Sequence, residues 1–462
     1  MREMIKVALP KGRLLKRTAA LLDQAGWELD GYSEETRLYR LASRRFSQLF
    51  LKIFQERDIP IQVAVGNYDL GICGLDWVEE LMVKYPSSAI VKVKDLGYGK
   101  RSLYMATGDG ATIEDFRAKW GLIRIASEYP NLAESFALRN RLRRFSVFPI
   151  WGAAEVYPPE SAELALVPGL SKERLNYGLV PVGKVLSSSA FLIANKTSWE
   201  NKDMGEVLST IYNVTFEEPE EERMNLRKVD SRLFYKTSPE VLQMALPDGH
   251  QQPPTAQLLK EAGIGVKGYS PGGDNRRPWA SFPWLRLKVI RPQDMPLQVA
   301  NGNFDLAITG RDWLFDHLSQ FPSSPVKELL DLKMGKVKLV AVVSQSLGVD
   351  NIASLRRLFG SSPLRIASEY TNIADRYARE NHLGIYRVIP TWGASEAFLP
   401  EDADLLIENT ETGRTLARHN LKILDTLFES TACLIGHKYP SPKKVEKIEF
   451  LTNALRKVVE AR

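Results

Sequence analysis

The chain has 462 residues, of which 44% are hydrophobic and 26% are charged. At about 100 to 200 residues per domain this length predicts two to four domains, and the balanced composition excludes the disordered and fibrous classes. No apolar run reaches the roughly 18 residues of a membrane span, and the N-terminus lacks the pattern of a signal peptide. We therefore expect a cytoplasmic protein without membrane contact.

The charge balance favours small anionic ligands over nucleic acid. Lys and Arg number 62 against 56 Asp and Glu, which is a mild excess, and no basic run is interleaved with aromatic residues. The two cysteines, Cys73 and Cys433, lie in apolar stretches without paired spacing, and the five histidines are scattered. We predict buried thiols and no zinc site, and we expect a phosphorylated small molecule as ligand.

The first predicted elements are a strand over residues 5–9 and an amphipathic helix with leucines over 14–22, closed by Gly26. Between them, Lys11, Gly12 and Arg13 put two cations on a glycine turn. Such a turn can clamp a pyrophosphate, with Arg13 as the bidentate group. The alternative is an ordinary solvated surface turn.

Segments of the first half return in the same order in the second half, and the offset drifts only from 236 to 241 positions. A conserved order with small drift indicates a tandem duplication. The matching pairs are 7–10 with 244–247, 69–77 with 305–313, 124–129 with 365–370 and 149–153 with 390–394.

The duplication predicts a first copy over 1–214, an acidic, proline-containing linker over 215–232 and a second copy over 233–462. Within each copy, short apolar runs alternate with amphipathic stretches, which predicts an α/β fold with mostly parallel sheets. Arg124 and Arg365 each begin a new strand after a charged helix. We expect a second sheet to begin there, so that each copy has two lobes with a cleft between them.

Two turns of the second copy carry candidate ligand contacts. Arg291 and Asp294 flank a rigid proline turn, where they either contact a ligand or pair with each other on the surface. Glu396 follows the Trp392-Gly393 turn and either holds a ribose hydroxyl or caps a helix.

The strongest chemical signal is the loop of Thr410, Glu411, Thr412, Gly413, Arg414 and Thr415, directly after a strand-like run over 404–407. A strand that ends in Thr-Gly-x-Thr and enters a helix presents backbone N–H groups, hydroxyls and the helix dipole to one point, which suits a phosphate monoester. The alternative is a simple helix cap by Thr412 or Thr415.

Taken together, these segments resemble the ATP phosphoribosyltransferases, which open histidine biosynthesis. The matching segments, taken from both copies and given in the order of the family, are 8–14, 291–296, 305–312, 95–99, 124–131 and 411–416. The resemblance implies a two-lobed fold like that of type II periplasmic binding proteins. It also implies magnesium and the transfer of a phosphoribosyl group from phosphoribosyl pyrophosphate to N1 of ATP, with release of pyrophosphate.

The resemblance also implies roles for individual residues. Glu408 and Arg291 would be catalytic, with Glu408 near the ribose hydroxyls, and the 410–415 loop would hold the 5-phosphate. Facing the pyrophosphate and ATP would be Lys11, Gly12, Arg13, Asp294 and Glu396. The metal ligands are not indicated. A missing general base fits this chemistry, because displacement at an anomeric carbon depends on positioning and charge stabilisation.

The two copies depart from the family pattern in different places. In copy 1, Lys172 and Glu173 stand where copy 2 has Gly413 and Arg414, and residues 55–58 read Gln-Glu-Arg-Asp against Arg-Pro-Gln-Asp at 291–294. In copy 2, residues 248–250 read Asp-Gly-His against Lys-Gly-Arg in copy 1, which removes two cations, and Glu408 replaces the usual Asp.

We therefore predict a fused pseudo-dimer with one phosphoribosyl site, in copy 2, supported by copy 1. The alternative is a catalytically inactive paralogue that senses a nucleotide, and a solute-binding protein of similar fold is less favoured without an export signal. A homo-oligomer and a separate regulatory subunit are the expected partners besides the two substrates.

Overall fold

The computed structural model describes residues 3–35, 39–86, 89–169, 175, 178–214, 240–270, 272–273 and 275–462. The predicted linker over 215–232, and with it Lys172 and Glu173 of the altered loop, lie outside the described residues. The first copy is described by strands and helices up to Tyr212, and the second from Leu242 onward.

The first copy contains both strands and α-helices along the chain. In order they are β1 (Ile5–Lys11), α1 (Leu15–Gln24), β2 (Arg40–Leu41), β3 (Leu49–Gln55), α2 (Ile59–Ala64), β4 (Leu70–Gly74), α3 (Leu75–Lys84), β5 (Ile90–Asp95), β6 (Arg101–Thr107), α4 (Ile113–Ala118), β7 (Ile123–Ser127), α5 (Pro130–Arg139), β8 (Phe145–Pro149), β9 (Leu164–Gly169), β10 (Val180–Ser188), β11 (Ala190–Asn195), α6 (Lys196–Asn201) and α7 (Gly205–Tyr212).

These strands form two mixed sheets, one for each lobe. The first has the order β2-β3-β1-β4-β11-β5, and the second has the order β10-β6-β9-β7-β8. Strand β1 is parallel to both β3 and β4, and β7 is parallel to both β8 and β9. The chain crosses between the sheets twice, from β5 to β6 and back from β10 to β11, so two connections join the lobes.

The second copy repeats this plan. Its elements are β12 (Leu242–Pro247), α8 (Gln252–Glu261), β13 (Val266–Lys267), β14 (Trp279–Ala280), β15 (Leu285–Ile290), α9 (Met295–Ala300), β16 (Leu306–Gly310), α10 (Arg311–Gln320), β17 (Val326–Asp331), β18 (Val337–Ser344), α11 (Ile352–Leu358), β19 (Leu364–Ser368), α12 (Thr371–Glu380), β20 (Tyr386–Pro390), β21 (Leu405–Thr410), α13 (Arg414–Arg418), β22 (Leu421–Ser430), β23 (Ala432–His437) and α14 (Val445–Ala461).

Its sheets have the orders β15-β12-β16-β23-β17 and β20-β19-β21-β18-β22, with β13 and β14 as a separate pair. The chain again crosses between lobes at β17 to β18 and at β22 to β23. The α/β class and the two-lobed repeat are confirmed. One detail differs: β7 and β19, which begin at Ile123 and Leu364, are not the first strands of the second sheets. The sheets begin one strand earlier, with β6 and β18, because the chain enters each second lobe with these strands, which are antiparallel to both of their neighbours.

The local expectations hold at the N-terminus. Strand β1 extends two residues past the predicted end, and α1 buries Leu15, Leu21 and Leu22 against the sheet at helical spacing. Gly26 follows the helix with a φ of +68°, a left-handed conformation that a glycine adopts without strain.

The described chain divides into two compact units, and each unit contains a short segment from the other sequence copy. Unit 1 comprises Met1–Pro149, Ala162–Val229 and Thr391–Ala397, whereas unit 2 comprises Ile150–Ser161, Asp230–Pro390 and Phe398–Arg462. Residues 150–161 of the first copy therefore pack within unit 2. Among the described residues, no helix is long and apolar enough to cross a membrane.

Candidate functional site

The Thr410–Thr415 loop follows strand β21, which extends to Thr410 and therefore includes Glu408, beyond the end predicted at residue 407. Gly413 has a φ of +69°, and its N–H donates to the Thr410 hydroxyl at 2.9 Å. Helix α13 has only five residues, so it supplies a weak dipole. The loop can still offer N–H groups and the Thr412 and Thr415 hydroxyls to an anion.

A chain of buried hydrogen bonds supports this loop from the adjacent strands. The Asn409 side-chain amide donates to the Tyr370 hydroxyl at 2.7 Å, and that hydroxyl donates to Asp312 at 2.6 Å. The Ser430 hydroxyl donates to the other Asp312 oxygen at 3.0 Å. Burial raises the pKa of the Asp312 carboxyl and raises that of Tyr370 well above its ordinary value. Both oxygens of Asp312 are therefore committed to positioning neighbours.

Two arginines converge on the turn where copy 2 lacks Lys-Gly-Arg. Arg276 donates to the Asp248 carboxylate at 2.6 Å, and an Arg291 guanidinium nitrogen lies 3.1 Å from the same oxygen. The Asp-Gly-His turn lacks the two cations of Lys-Gly-Arg, and Arg276, which no sequence motif predicted, lies there instead. The residue lies in a stretch without a repeat match, and its only signal was the Arg276-Arg277 pair shortly before strand β15.

The 150–161 segment completes the surroundings of Arg291 within unit 2. The Trp151 N–H donates to both oxygens of Asp294, at 3.0 and 3.1 Å. A Cβ added at Gly152 would lie 3.1 Å from Arg291 Nε, so the backbone of the segment passes close to this guanidinium. Burial raises the pKa of the Glu155 carboxyl, and the charges of Arg276 and Arg291 oppose that rise.

A buried ion-pair network fixes the end of the same segment. Glu160 accepts from Arg277 at 2.9 and 3.0 Å and from Lys288 at 3.0 Å. The three side chains are 5%, 6% and 4% exposed, respectively. Arg277 also donates to the Pro158 carbonyl at 2.7 Å. Because buried charges must be paired, this network ties the segment to β15 and to the chain that precedes it.

The predicted cationic turn of copy 1 lies in unit 1. Arg13 donates to Glu56 at 2.8 Å and to the Gly99 carbonyl at 2.9 Å. Lys11 Nζ lies 5.1 Å from the centre of the Tyr39 ring, and Gly12 has a φ of +79°. Lys11, Gly12 and Arg13 thus belong to a different compact unit from the phosphate loop, and Glu56 neutralises Arg13.

Glu396 also lies in unit 1, within Thr391–Ala397, whereas its counterpart Glu155 lies in unit 2 beside Arg276 and Arg291. The structure therefore groups Arg291, Asp294, Glu408 and the 410–415 loop in unit 2, and leaves Glu396 outside that group. The repeat could not predict that residues 150–161 and 391–397 each lie in the unit of the other copy. A repeat only aligns each residue with its counterpart.

Cys73 and Cys433 are both free and buried, which confirms the predicted buried thiols. Within the described ranges, no group of three His, Cys, Asp or Glu side chains could hold a metal ion.

The family description "HisG: ATP phosphoribosyltransferase" matches residues 55–213 and 291–457, which together exceed half of the chain. The chain belongs to the ATP phosphoribosyltransferase family. Both sequence copies match, so this family member carries two family domains in one polypeptide, and the family is one of transferases.

Individual relatives each align with about half of the chain. The ATP phosphoribosyltransferase of Chlorobaculum parvum is 34% identical over 232 residues, covering 48% of this chain and 72% of the relative. That of Sulfurisphaera tokodaii is 31% identical over 233 residues, covering 48% and 74%.

Similar solved structures include the HisG:HisZ ATP phosphoribosyl transferase complex from Thermotoga maritima. Its TM-score is 0.40 at 23% identity, and the alignment covers 48% of this chain and 100% of that one. The periplasmic aliphatic sulphonate binding protein SsuA from Escherichia coli has a TM-score of 0.30 at 14% identity, over 48% and 73%. Because both scores are below 0.5, the fold assignment rests on the strand order described above.

Proposed function

We propose that this chain transfers the phosphoribosyl group of phosphoribosyl pyrophosphate to N1 of ATP, the first step of histidine biosynthesis, at a single site in unit 2. The observation that carries the proposal is the intact loop of copy 2. Gly413 holds the left-handed conformation that the Thr-Gly-x-Thr turn requires, and Asn409 anchors the preceding strand to Tyr370.

In this reaction the N1 lone pair of ATP forms a bond to the anomeric carbon, and the bond from that carbon to the pyrophosphate oxygen breaks. The pyrophosphate leaves with the bonding electron pair. The loop N–H groups and threonine hydroxyls hold the 5-phosphate, and Glu408 accepts from the ribose hydroxyls. Arg276 and Arg291 supply the positive charge that the leaving pyrophosphate needs, because a planar guanidinium binds phosphate oxygens in a bidentate manner.

Asp248 has a specific part in this proposal. It lies between Arg276 and Arg291 and holds both guanidinium groups at one carboxylate oxygen. A pyrophosphate carries more negative charge than one carboxylate, so it competes for the same two cations. The site therefore keeps two cations, although its Lys-Gly-Arg turn is lost.

Magnesium remains part of the proposal. At phosphate sites this ion is typically held by one or two carboxylates together with substrate oxygens. The oxygens of Asp312 are engaged by Tyr370 and Ser430, whereas Glu408 is half-buried near the end of β21, where its Oε1 atom accepts from the Asn409 N–H at 2.9 Å. Glu408 and the diphosphate oxygens of the donor fit the ion. When bound, magnesium would reduce the negative charge of the diphosphate.

The second candidate is a nucleotide-sensing paralogue without activity. It is favoured by the ion pair of Arg13 with Glu56 in unit 1 and by the Asp-Gly-His turn at 248–250 in unit 2. In that case the chain would bind a nucleotide without turnover. The retained Thr412-Gly413-Arg414-Thr415 turn favours the enzyme, because a sensor for the nucleotide alone has no need of a 5-phosphate loop.

The deciding experiment measures pyrophosphate release by the purified full-length chain with ATP, phosphoribosyl pyrophosphate and magnesium. We expect release that requires both substrates. Binding of ATP without any release would overturn the proposed activity and support the sensor. Light scattering tests the predicted homo-oligomer, and the same assay with a co-purified second protein tests the predicted regulatory subunit.

A further inference from the structure

The two copies differ at one position beside a pair of tryptophans. In unit 1 the Arg57 guanidinium carbon lies 4.1 Å from the ring centre of Trp392 and 5.1 Å from that of Trp77. A guanidinium is planar and is attracted to indole faces, so Arg57 fills the space at both rings. Tyr129 packs on Trp77 with a 4.2 Å centroid separation.

In unit 2 the aligned position carries a glutamine in place of the arginine. The repeat aligns Gln293 with Arg57, Trp313 with Trp77 and Trp151 with Trp392. The rings of Trp151 and Trp313 are 5.8 Å apart and tilted by 60°, and Tyr370 stacks on one face of Trp313 at 4.2 Å. A shorter, neutral side chain cannot cover both indoles as a guanidinium does.

The amide of Gln293 supplies a second, independent observation. Its Oε1 atom is buried and accepts no hydrogen bond from the described residues. A buried carbonyl without a hydrogen-bond donor costs free energy, so binding of a ligand that donates a hydrogen bond to this carbonyl is favoured. Gln293 lies between Arg291 and Asp294 in one 3-10 turn, and Asp294 also fixes Trp151 through its N–H. Gln293 is therefore adjacent in the chain to the residue that holds the Trp151 backbone.

We propose that Trp151 and Trp313 stack against the purine ring of the acceptor nucleotide and that Gln293 selects a 6-aminopurine by accepting from its exocyclic amino group. The inference rests on the proposed function, in which ATP is the acceptor. A glutamine amide can pair with the N6 and N7 atoms of adenine, and this pairing leaves N1 free to react. Gln293 is thus the specificity-determining residue, and Trp151 is a nucleotide-binding residue that the first copy provides to the site of the second.

The test compares ATP with purine riboside 5′-triphosphate, which lacks only the 6-amino group, by calorimetric binding and by pyrophosphate release. The wild-type chain should prefer ATP by about tenfold, the value expected for one hydrogen bond to a buried carbonyl. Gln293→Met should remove this preference while binding of the analogue stays unchanged. Trp151→Ala should weaken both nucleotides by about tenfold, because stacking depends little on the base substituents.

A further variant distinguishes a loss of nucleotide binding from a loss of folding. Gln293→Arg copies the arrangement of unit 1, so it should fold normally and block both nucleotides. Trp392→Leu, at the matching position of unit 1, serves as the control and should leave nucleotide binding unchanged. An active wild-type chain whose Gln293→Met and Trp151→Ala variants keep the wild-type preference and affinity would overturn this inference alone. Absence of ATP binding and turnover in the wild type would overturn the proposed function as well.

Discussion

The main-chain N–H of Trp151 donates to the carboxylate of Asp294, although 143 positions separate the two residues along the chain. This bond joins the first sequence copy to the turn that carries Arg291, inside one compact unit. The two copies are therefore not independent enzymes in tandem, because a segment of one copy is built into the candidate site of the other.

The first prediction concerns this bond. Asp294→Asn removes one carboxylate acceptor and turns an amide NH2 toward a donor, so the Trp151 segment and Arg291 should lose their alignment. We expect kcat/KM for pyrophosphate release to fall by about tenfold to a hundredfold, as misplacement of a positioning group does. Asp58→Asn alters the matching aspartate of unit 1 and should change transfer by less than about twofold. Equal losses in both variants would contradict the assignment of the site to unit 2.

The second prediction concerns the buried network of Glu160. Glu160→Gln removes the carboxylate that the buried Arg277 and Lys288 share, which should lower the free energy of unfolding by about 3 to 5 kcal/mol. Glu163→Gln breaks a more exposed pair with Arg124, in which the side chains are 20% and 28% exposed. It should cost about 1 kcal/mol or less. Urea denaturation of both variants measures the difference, and similar costs would show that the network does not hold the segment.

The third prediction concerns the loop glycine. Gly413→Val forces a β-branched residue to a φ of +69°, at a backbone cost of about 1 to 2 kcal/mol that the loop can avoid only by changing conformation. Phosphoribosyl transfer should be abolished. Gly348→Val meets a φ of +68° in open space on another turn, so it should show a similar loss of stability with normal transfer. Unchanged turnover in Gly413→Val would contradict a role of the loop.

The fourth prediction concerns pH. Burial raises the pKa of Glu80 to about 7, although its carboxylate accepts from the Asn131 and Leu132 N–H groups at 2.9 Å. A carboxyl with a raised pKa in the folded state binds a proton there that it releases on unfolding. The stability that this group contributes is therefore fully present below the unfolded pKa and is lost as the pH rises to about 7, by about 1 kcal/mol per pH unit.

Glu80→Gln removes the titrating group, so its unfolding free energy should be flatter between pH 5 and pH 7 than that of the wild type. Denaturation series at several pH values measure the slopes. Glu79→Gln alters the neighbouring, more exposed residue and should retain the wild-type slope. A wild-type slope in Glu80→Gln would assign the dependence to another group.

Much of the fold could be predicted from local patterns. Hydrophobic periodicity depends only on neighbouring residues, and it predicted the strand at residues 5–9, the helix that follows it and the α/β repeat. The Thr-Gly-x-Thr loop could be found for the same reason, since a glycine at a strand-to-helix turn is a local signal. The ends of strands could not be predicted in this way, because they depend on pairing with other strands. Glu408 lies within β21, since pairing with β18 extends the strand past the apolar run.

The sequence by itself determined the duplication, the family and the loss of different motifs from each copy, because these depend only on the order of residues. The tertiary structure alone decided that Arg276 joins Arg291 at Asp248, that Glu155 and not Glu396 lies with them, and that Glu56 neutralises Arg13. These relationships join residues far apart in the chain or in different copies. An internal repeat gives the counterpart of each residue, whereas only packing decides in which unit a segment is buried.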